Sequence, residues 1–67
     1  MNDKDFEIAM ESIIEALKER GYDPYTQLYG YISEKEPFYI MSHNDARTLI
    51  QELDFDRVKQ YVAKMKG

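Results

Sequence analysis

The sequence has no cysteine and only one histidine, and it carries no long apolar run. Without cysteine there is no disulfide framework and no thiolate zinc site. A chain of 67 residues must then find its stability in helix packing or self-association. Small chains bury a smaller share of their surface than large ones, roughly 60% at this size, so a homodimer is the expected assembly. No apolar stretch approaches the roughly 20 residues needed to span a bilayer. The opening Met1-Asn2-Asp3-Lys4-Asp5 is polar and acidic where a signal peptide would be basic, so a cytoplasmic location is expected. Basic residues are in the minority, nine against thirteen acidic, and the net charge of −4 repels a phosphate backbone on average. Gly21 and Gly30 lack phosphate-loop spacing and no Gly-Lys-Ser/Thr follows, which excludes a glycine-rich nucleotide cradle.

What the chain does have is helical periodicity. From Asp5 to Arg20 the apolar positions Phe6, Met10, Ile13 and Leu17 recur at spacings of four, three and four, with Ala9 and Ile14 widening the stripe. Gly21 follows Lys18 and Arg20 where a left-handed C-cap is needed. Asp23-Pro24 restarts a helix, aspartate as N-cap and proline at the first helical position, with Tyr25, Leu28, Tyr29 and Ile32 as its buried stripe. Ser33 to Pro37 is a polar break. Phe38-Tyr39-Ile40-Met41 then reads as a short extended segment, which needs a partner strand, and the simplest one is its copy in a second protomer. Ser42 or Asn44 can cap a third helix lined by Ala46, Leu49, Ile50 and Leu53, and Ser42 with Asp45 resembles a capping box. A last helix starts after Asp54 and places Phe55, Val58, Val62 and Met65 on one side, and Gly67 ends the chain. The fold class is therefore mainly α, about four short helices with one extended segment near 38–41, in one domain over 1–67 and a compact homodimer.

Charge is unevenly placed. Acidic residues dominate the first fifteen positions, while Arg57, Lys59, Lys64 and Lys66 have no acid among them after Asp56. Complementarity between the first and last helices explains this pattern, and a basic last helix meeting nucleic acid is the alternative. The carboxylates at 3, 7, 11 and 15 recur at helical spacing and read as a solvated face, not a metal or acid/base pair. His43 lies between Ser42 and Asn44-Asp45, where a capping or interface role fits better than general-base catalysis. No catalytic constellation, metal site or cofactor site is expected, and the chain is read as a non-enzyme.

Two runs hold most of the special residues: Gly21-Tyr22-Asp23-Pro24-Tyr25-Thr26-Gln27-Leu28-Tyr29-Gly30-Tyr31-Ile32, and Glu36-Pro37-Phe38-Tyr39-Ile40-Met41-Ser42-His43-Asn44-Asp45-Ala46-Arg47. Tyr22, Tyr25, Tyr29, Tyr31 and Tyr39 each combine an apolar face with one hydroxyl, which suits core, dimer interface or an exposed recognition surface for a protein. A base-stacking platform is disfavoured because only Lys35 is basic between Gly21 and Met41. The candidate binding or dimer-interface residues are Tyr22, Tyr25, Gln27, Tyr29, Tyr31, Phe38, Tyr39, Ile40, Asn44 and Arg47. The Arg47 fork can tie Asp23 or backbone carbonyls within the fold, or grip a partner carboxylate.

The same runs resemble the IreB-like family, through Gly21, Tyr22, Pro24, Gln27, Gly30, Tyr31, Pro37, Tyr39, Ile40, Asn44 or Asp45, Ala46, Arg47 and Ile50, over roughly Gly21 to Leu53. The resemblance implies a small non-enzymatic cytoplasmic regulatory protein of Gram-positive bacteria, a helical homodimer that acts through protein–protein binding. It also implies a link to Ser/Thr-kinase signalling and cell-envelope stress. The namesake is phosphorylated on threonines of an N-terminal tail, whereas here no Ser or Thr precedes Ser12, so the chain reads as a short, N-terminally truncated member. Ser42 is the residual candidate for phosphorylation, since a phosphate at a helix start meets the positive end of the dipole.

Overall fold

Side-chain capping sets the start of three of the four helices among the described residues. In the computed structural model, which describes residues 2–66, helix α1 spans Asp3–Glu19. It starts two residues before the expected point because Asn2 is its cap: Asn2 Oδ1 accepts from the Asp5 amide at 2.8 Å. Phe6, Met10, Ile13, Ala16 and Leu17 are buried along it, and Ala9 and Ile14 are half-buried beside them. The helix closes in a Schellman motif. The Tyr22 amide donates to Leu17 O at 3.0 Å and the Gly21 amide to Lys18 O at 2.9 Å. Gly21 sits at φ +82° with open space where a Cβ would be, so its backbone angle and not crowding requires glycine.

Helix α2, Pro24–Glu34, begins as the sequence predicts, with Asp23 Oδ2 accepting from the Thr26 amide at 3.2 Å and Pro24 in the first turn. Its buried face differs from the expected one. Leu28 and Tyr31 are buried and Tyr25 and Ile32 half-buried, while Tyr29 is 57% exposed. α2 packs against the last helix, the Pro37–Tyr39 turn and, less extensively, α1, and the side chains it buries are Leu28 and Tyr31.

The segment expected to be extended is a turn. Pro37–Tyr39 forms a 3-10 helix in which the Tyr39 amide donates to Glu36 O at 3.1 Å and the Ile40 amide to Pro37 O at 2.9 Å. Ile40, at φ −102° and ψ 124°, keeps extended angles, and it is fully buried. No strand occurs among the described residues. The proline fixes the turn geometry, and the amides a strand would offer a second protomer are bonded within it.

A second 3-10 turn, His43–Asp45, leads into α3, Ala46–Glu52. Here too the expected capping fails. Neither Ser42 nor Asp45 makes a side-chain cap, and Asn44 and Asp45 adopt left-handed angles at φ 51° and 61°. Two successive left-handed non-glycine residues are strained. The turn is held from outside, by Glu19 at the end of α1: His43 Nε2 lies 2.9 Å from Glu19 Oε1, and Asn44 Nδ2 donates to the same oxygen at 3.0 Å.

Helix α4, Phe55–Lys66, starts on Asp54, whose Oδ2 accepts from the Arg57 amide at 3.1 Å. The expected stripe is present, Val58 and Val62 buried, Phe55 and Met65 half-buried. Gly67, the last residue, lies outside the described residues. The predicted complementarity of first and last helices holds within one protomer: Arg57 Nη2 bonds Asp3 Oδ1 at 2.7 Å, and its guanidinium lies 4.4 Å from the centre of the Phe6 ring. Among the described residues no helix is long and apolar enough to cross a membrane.

Gly30, in the middle of α2, is the one glycine among the described residues that space demands. A Cβ there would stand 2.6 Å from Cδ1 and 3.0 Å from Cε1 of Tyr39, because the tyrosine ring lies directly on the helix backbone. Alanine gains roughly 1 kcal/mol of intrinsic helix propensity over glycine. We nevertheless expect Gly30→Ala to destabilise by about 1–3 kcal/mol, the usual cost of overpacking. In a Tyr39→Ala background the same substitution should become stabilising. Urea denaturation of the four proteins checks both signs, and a stabilising Gly30→Ala in the unaltered background would refute the contact.

Candidate functional site

The 37–47 segment positions the candidate site. Seating Tyr39 on Gly30 carries Ile40 into the core, where its carbonyl accepts from Arg47 Nε at 2.8 Å. Of the two internal roles considered for Arg47, the tie to a backbone carbonyl is therefore the one found. Asp23 is engaged in capping Thr26. The Arg47 guanidinium carbon lies 4.9 Å from the centre of the Phe38 ring, whose side is 72% exposed. The bond and the ring contact fix the plane of the fork, and its terminal nitrogens have no hydrogen bond among the described residues. One turn on, Gln51 Nε2 donates to Arg47 O at 3.1 Å.

Seven of the ten predicted residues fall into three groups, and Tyr22, Gln27 and Asn44 stand apart from them. Phe38, Tyr39 and Arg47 form one patch, with Tyr39 44% exposed. Tyr25 and Tyr29, ring centres 6.0 Å apart, join Ile32, Lys59, Val62 and Ala63 to line a shallow groove of about 290 Å³ between α2 and α4. Tyr31 and Ile40 are core residues. The Tyr31 ring meets Phe55 edge-on at 5.6 Å, and burial raises its phenol above the ordinary value of 10.0. Tyr22 is exposed just past the α1 cap, and Gln27 is half-buried with no side-chain hydrogen bond among the described residues. Asn44 belongs with His43 and Glu19 in the clasp that holds the second turn.

Two participants escaped the sequence reading. Glu19 meets His43 from twenty-four positions away with no spacing signal to announce it. Ile8, 53% exposed on α1, falls off the helical stripe and was passed over. The carboxylates Glu7, Glu11 and Glu15 are exposed, as a solvated face requires, and Asp3 is paired with Arg57. Among the described residues no three His, Cys, Asp or Glu side chains gather as a metal site.

A planar cation over an exposed aromatic ring offers donors that suit a carboxylate beside a face that suits an apolar group. If the Arg47 bond to Ile40 O holds the turn, Arg47→Ala should lower stability by about 1–3 kcal/mol, the range for a part-buried polar pair that loses one member. Lysine should not restore it, because it lacks the Nε donor and the planar face. Chemical denaturation of Arg47→Ala and Arg47→Lys tests this, and full stability of either variant would separate Arg47 from the fold.

A family model for the IreB regulatory phosphoprotein matches residues 1–65, so the similarity extends beyond the two tyrosine-containing runs to α1 and nearly all of α4. With capped helices, a turn seated on Gly30 and a match across nearly its whole length, the chain belongs to the IreB regulatory phosphoprotein family.

Proposed function

We infer that this protein is a non-enzymatic regulator that works by binding other proteins, in the cytoplasm and as a homodimer. The observation that carries the reading is Phe38, 72% exposed beneath the guanidinium of Arg47. A large apolar ring left in solvent and a cation fixed above it are the residue types enriched at the energetic centre of protein interfaces. Family membership supports a regulatory role, and by resemblance the pathway is Ser/Thr-kinase signalling linked to cell-envelope stress in a Gram-positive bacterium. Ser42 is exposed and its hydroxyl caps no backbone amide, which leaves it available to a kinase. Dimerisation rests on chain size and exposed aromatic surface, not on strand pairing.

Nucleic-acid binding through α4 has less support, since Arg57 is engaged by Asp3 and Phe6. Phe38→Ala separates surface from scaffold. It should change stability by no more than about 0.5 kcal/mol, as for an exposed position. Capture of specific partners from the source organism should nevertheless fall about tenfold, as for an interface anchor. Sedimentation should give twice the 8.0 kDa protomer mass. Undiminished capture by Phe38→Ala would move the binding surface elsewhere, and a protomer-sized species would remove the dimer.

A further inference from the structure

Two arginines of this fold lie over phenylalanine rings, and they differ in what surrounds them. Arg57 stands 4.4 Å from the centre of the Phe6 ring, and its Nη2 bonds Asp3 Oδ1 at 2.7 Å. Phe6 itself is covered by the core. Arg47 repeats the arrangement over Phe38 at 4.9 Å, but no carboxylate lies within ion-pair distance of it among the described residues, and its ring is open to water. Acids are not scarce in this chain, since they outnumber bases thirteen to nine. The donors left on Arg47 narrow what it takes. A guanidinium carries five N–H donors in one plane. The Nε donor is spent on Ile40 O at 2.8 Å, which leaves the end formed by Nη1 and Nη2. Two parallel N–H groups on one edge match the two oxygens of a carboxylate.

Given that the Phe38 patch binds protein, we propose that its partner presents an aspartate or glutamate beside an apolar residue. The carboxylate closes on the Nη pair of Arg47 and the apolar group covers Phe38. The partner thus supplies from outside what Asp3 and the core supply to Arg57 and Phe6 from within. A net charge of −4 opposes the approach of any acidic segment, so attraction to the molecule as a whole does not produce this contact and the arginine itself must. A phosphoryl group, with close to two negative charges, meets that opposition more strongly. It also meets Glu36, whose Oε1 accepts from the Phe38 amide at 3.4 Å and keeps a negative charge beside the ring. A singly charged carboxylate is the better fit.

The probes are three short peptides with blocked ends, alanine-leucine-X-leucine-alanine, in which X is glutamate, glutamine or phosphoserine. Each is titrated into the full chain and followed by two-dimensional NMR. The glutamate peptide should shift the Phe38 ring and the Arg47 Nε–H signal together. The glutamine peptide should bind about tenfold more weakly, the difference between a charged and a neutral acceptor, and the phosphoserine peptide should bind more weakly than glutamate. Phe38→Ala, at an exposed position that keeps the fold, should weaken the glutamate peptide as well. Equal binding of glutamate and glutamine overturns the proposal while leaving Phe38 as a protein-binding surface, because capture of native partners by Phe38→Ala reports on that surface separately. Tightest binding by phosphoserine overturns it in favour of a phosphoryl group. Shifts confined to α4, or none at Arg47 with any of the three, overturn it too, as does a dimer that Phe38→Ala dissociates, which makes the patch a self-contact.

Discussion

The contact of Tyr39 with the backbone of α2 at Gly30 is the constraint on which the rest of the site depends. A missing Cβ lets an aromatic ring lie where no other residue would admit it. That close approach brings the 37–39 turn down onto the helix and buries Ile40. Burial of Ile40 places its carbonyl where Arg47 Nε reaches it, and that bond holds the guanidinium over Phe38. Phe38, one residue before the seated tyrosine, is left facing water. A glycine with an apparent helix cost thus accounts for an exposed aromatic ring eight residues later.

A domain this small has little apolar area to spend, and its helix ends are closed with care. Asn2, Asp23 and Asp54 each accept a backbone amide at a helix start, and Gly21 completes a Schellman motif. The exception is the entry to α3. There the chain accepts two left-handed residues, Asn44 and Asp45, and relies on a carboxylate from α1 to hold them. Glu19 is exposed, so the clasp adds little stability by itself. Its effect is to fix the direction in which α3 leaves, and with it the position of Arg47.

Much of this architecture is legible in the sequence. The four helices, the Gly21 stop, the Asp23-Pro24 and Asp54 starts and the attraction between first and last helices follow from periodicity, capping chemistry and charge placement. The failures share a physical origin. Phe38-Tyr39-Ile40-Met41 has the composition of a strand, yet Pro37 and the pull of Gly30 on Tyr39 turn it into a 3-10 helix. Composition carries no information about a tertiary contact. Tyr29 and Tyr31 exchanged places for a similar reason, since the neighbours of α2, not its own pattern, decide which tyrosine is covered. Glu19, paired with residues far along the chain, had no sequence signal at all. Of the ten candidate binding residues, Phe38, Tyr39 and Arg47 come together as one patch, while Tyr31 and Ile40 serve the core.

Membership of the IreB regulatory phosphoprotein family gives this small helical architecture a regulatory context. Whether its exposed features are rigidly presented is the central claim, and it is measured most directly at its origin. Nuclear Overhauser contacts between the Tyr39 ring protons and the Gly30 α-protons, recorded with backbone relaxation, report the seat and its rigidity together. The account predicts strong contacts, an upfield ring-current shift of the Gly30 α-protons, and order parameters near 0.85 from Phe38 to Ile40, typical of rigid backbone. Absent contacts with order parameters below about 0.6 in that segment, the range of flexible loops, would contradict it.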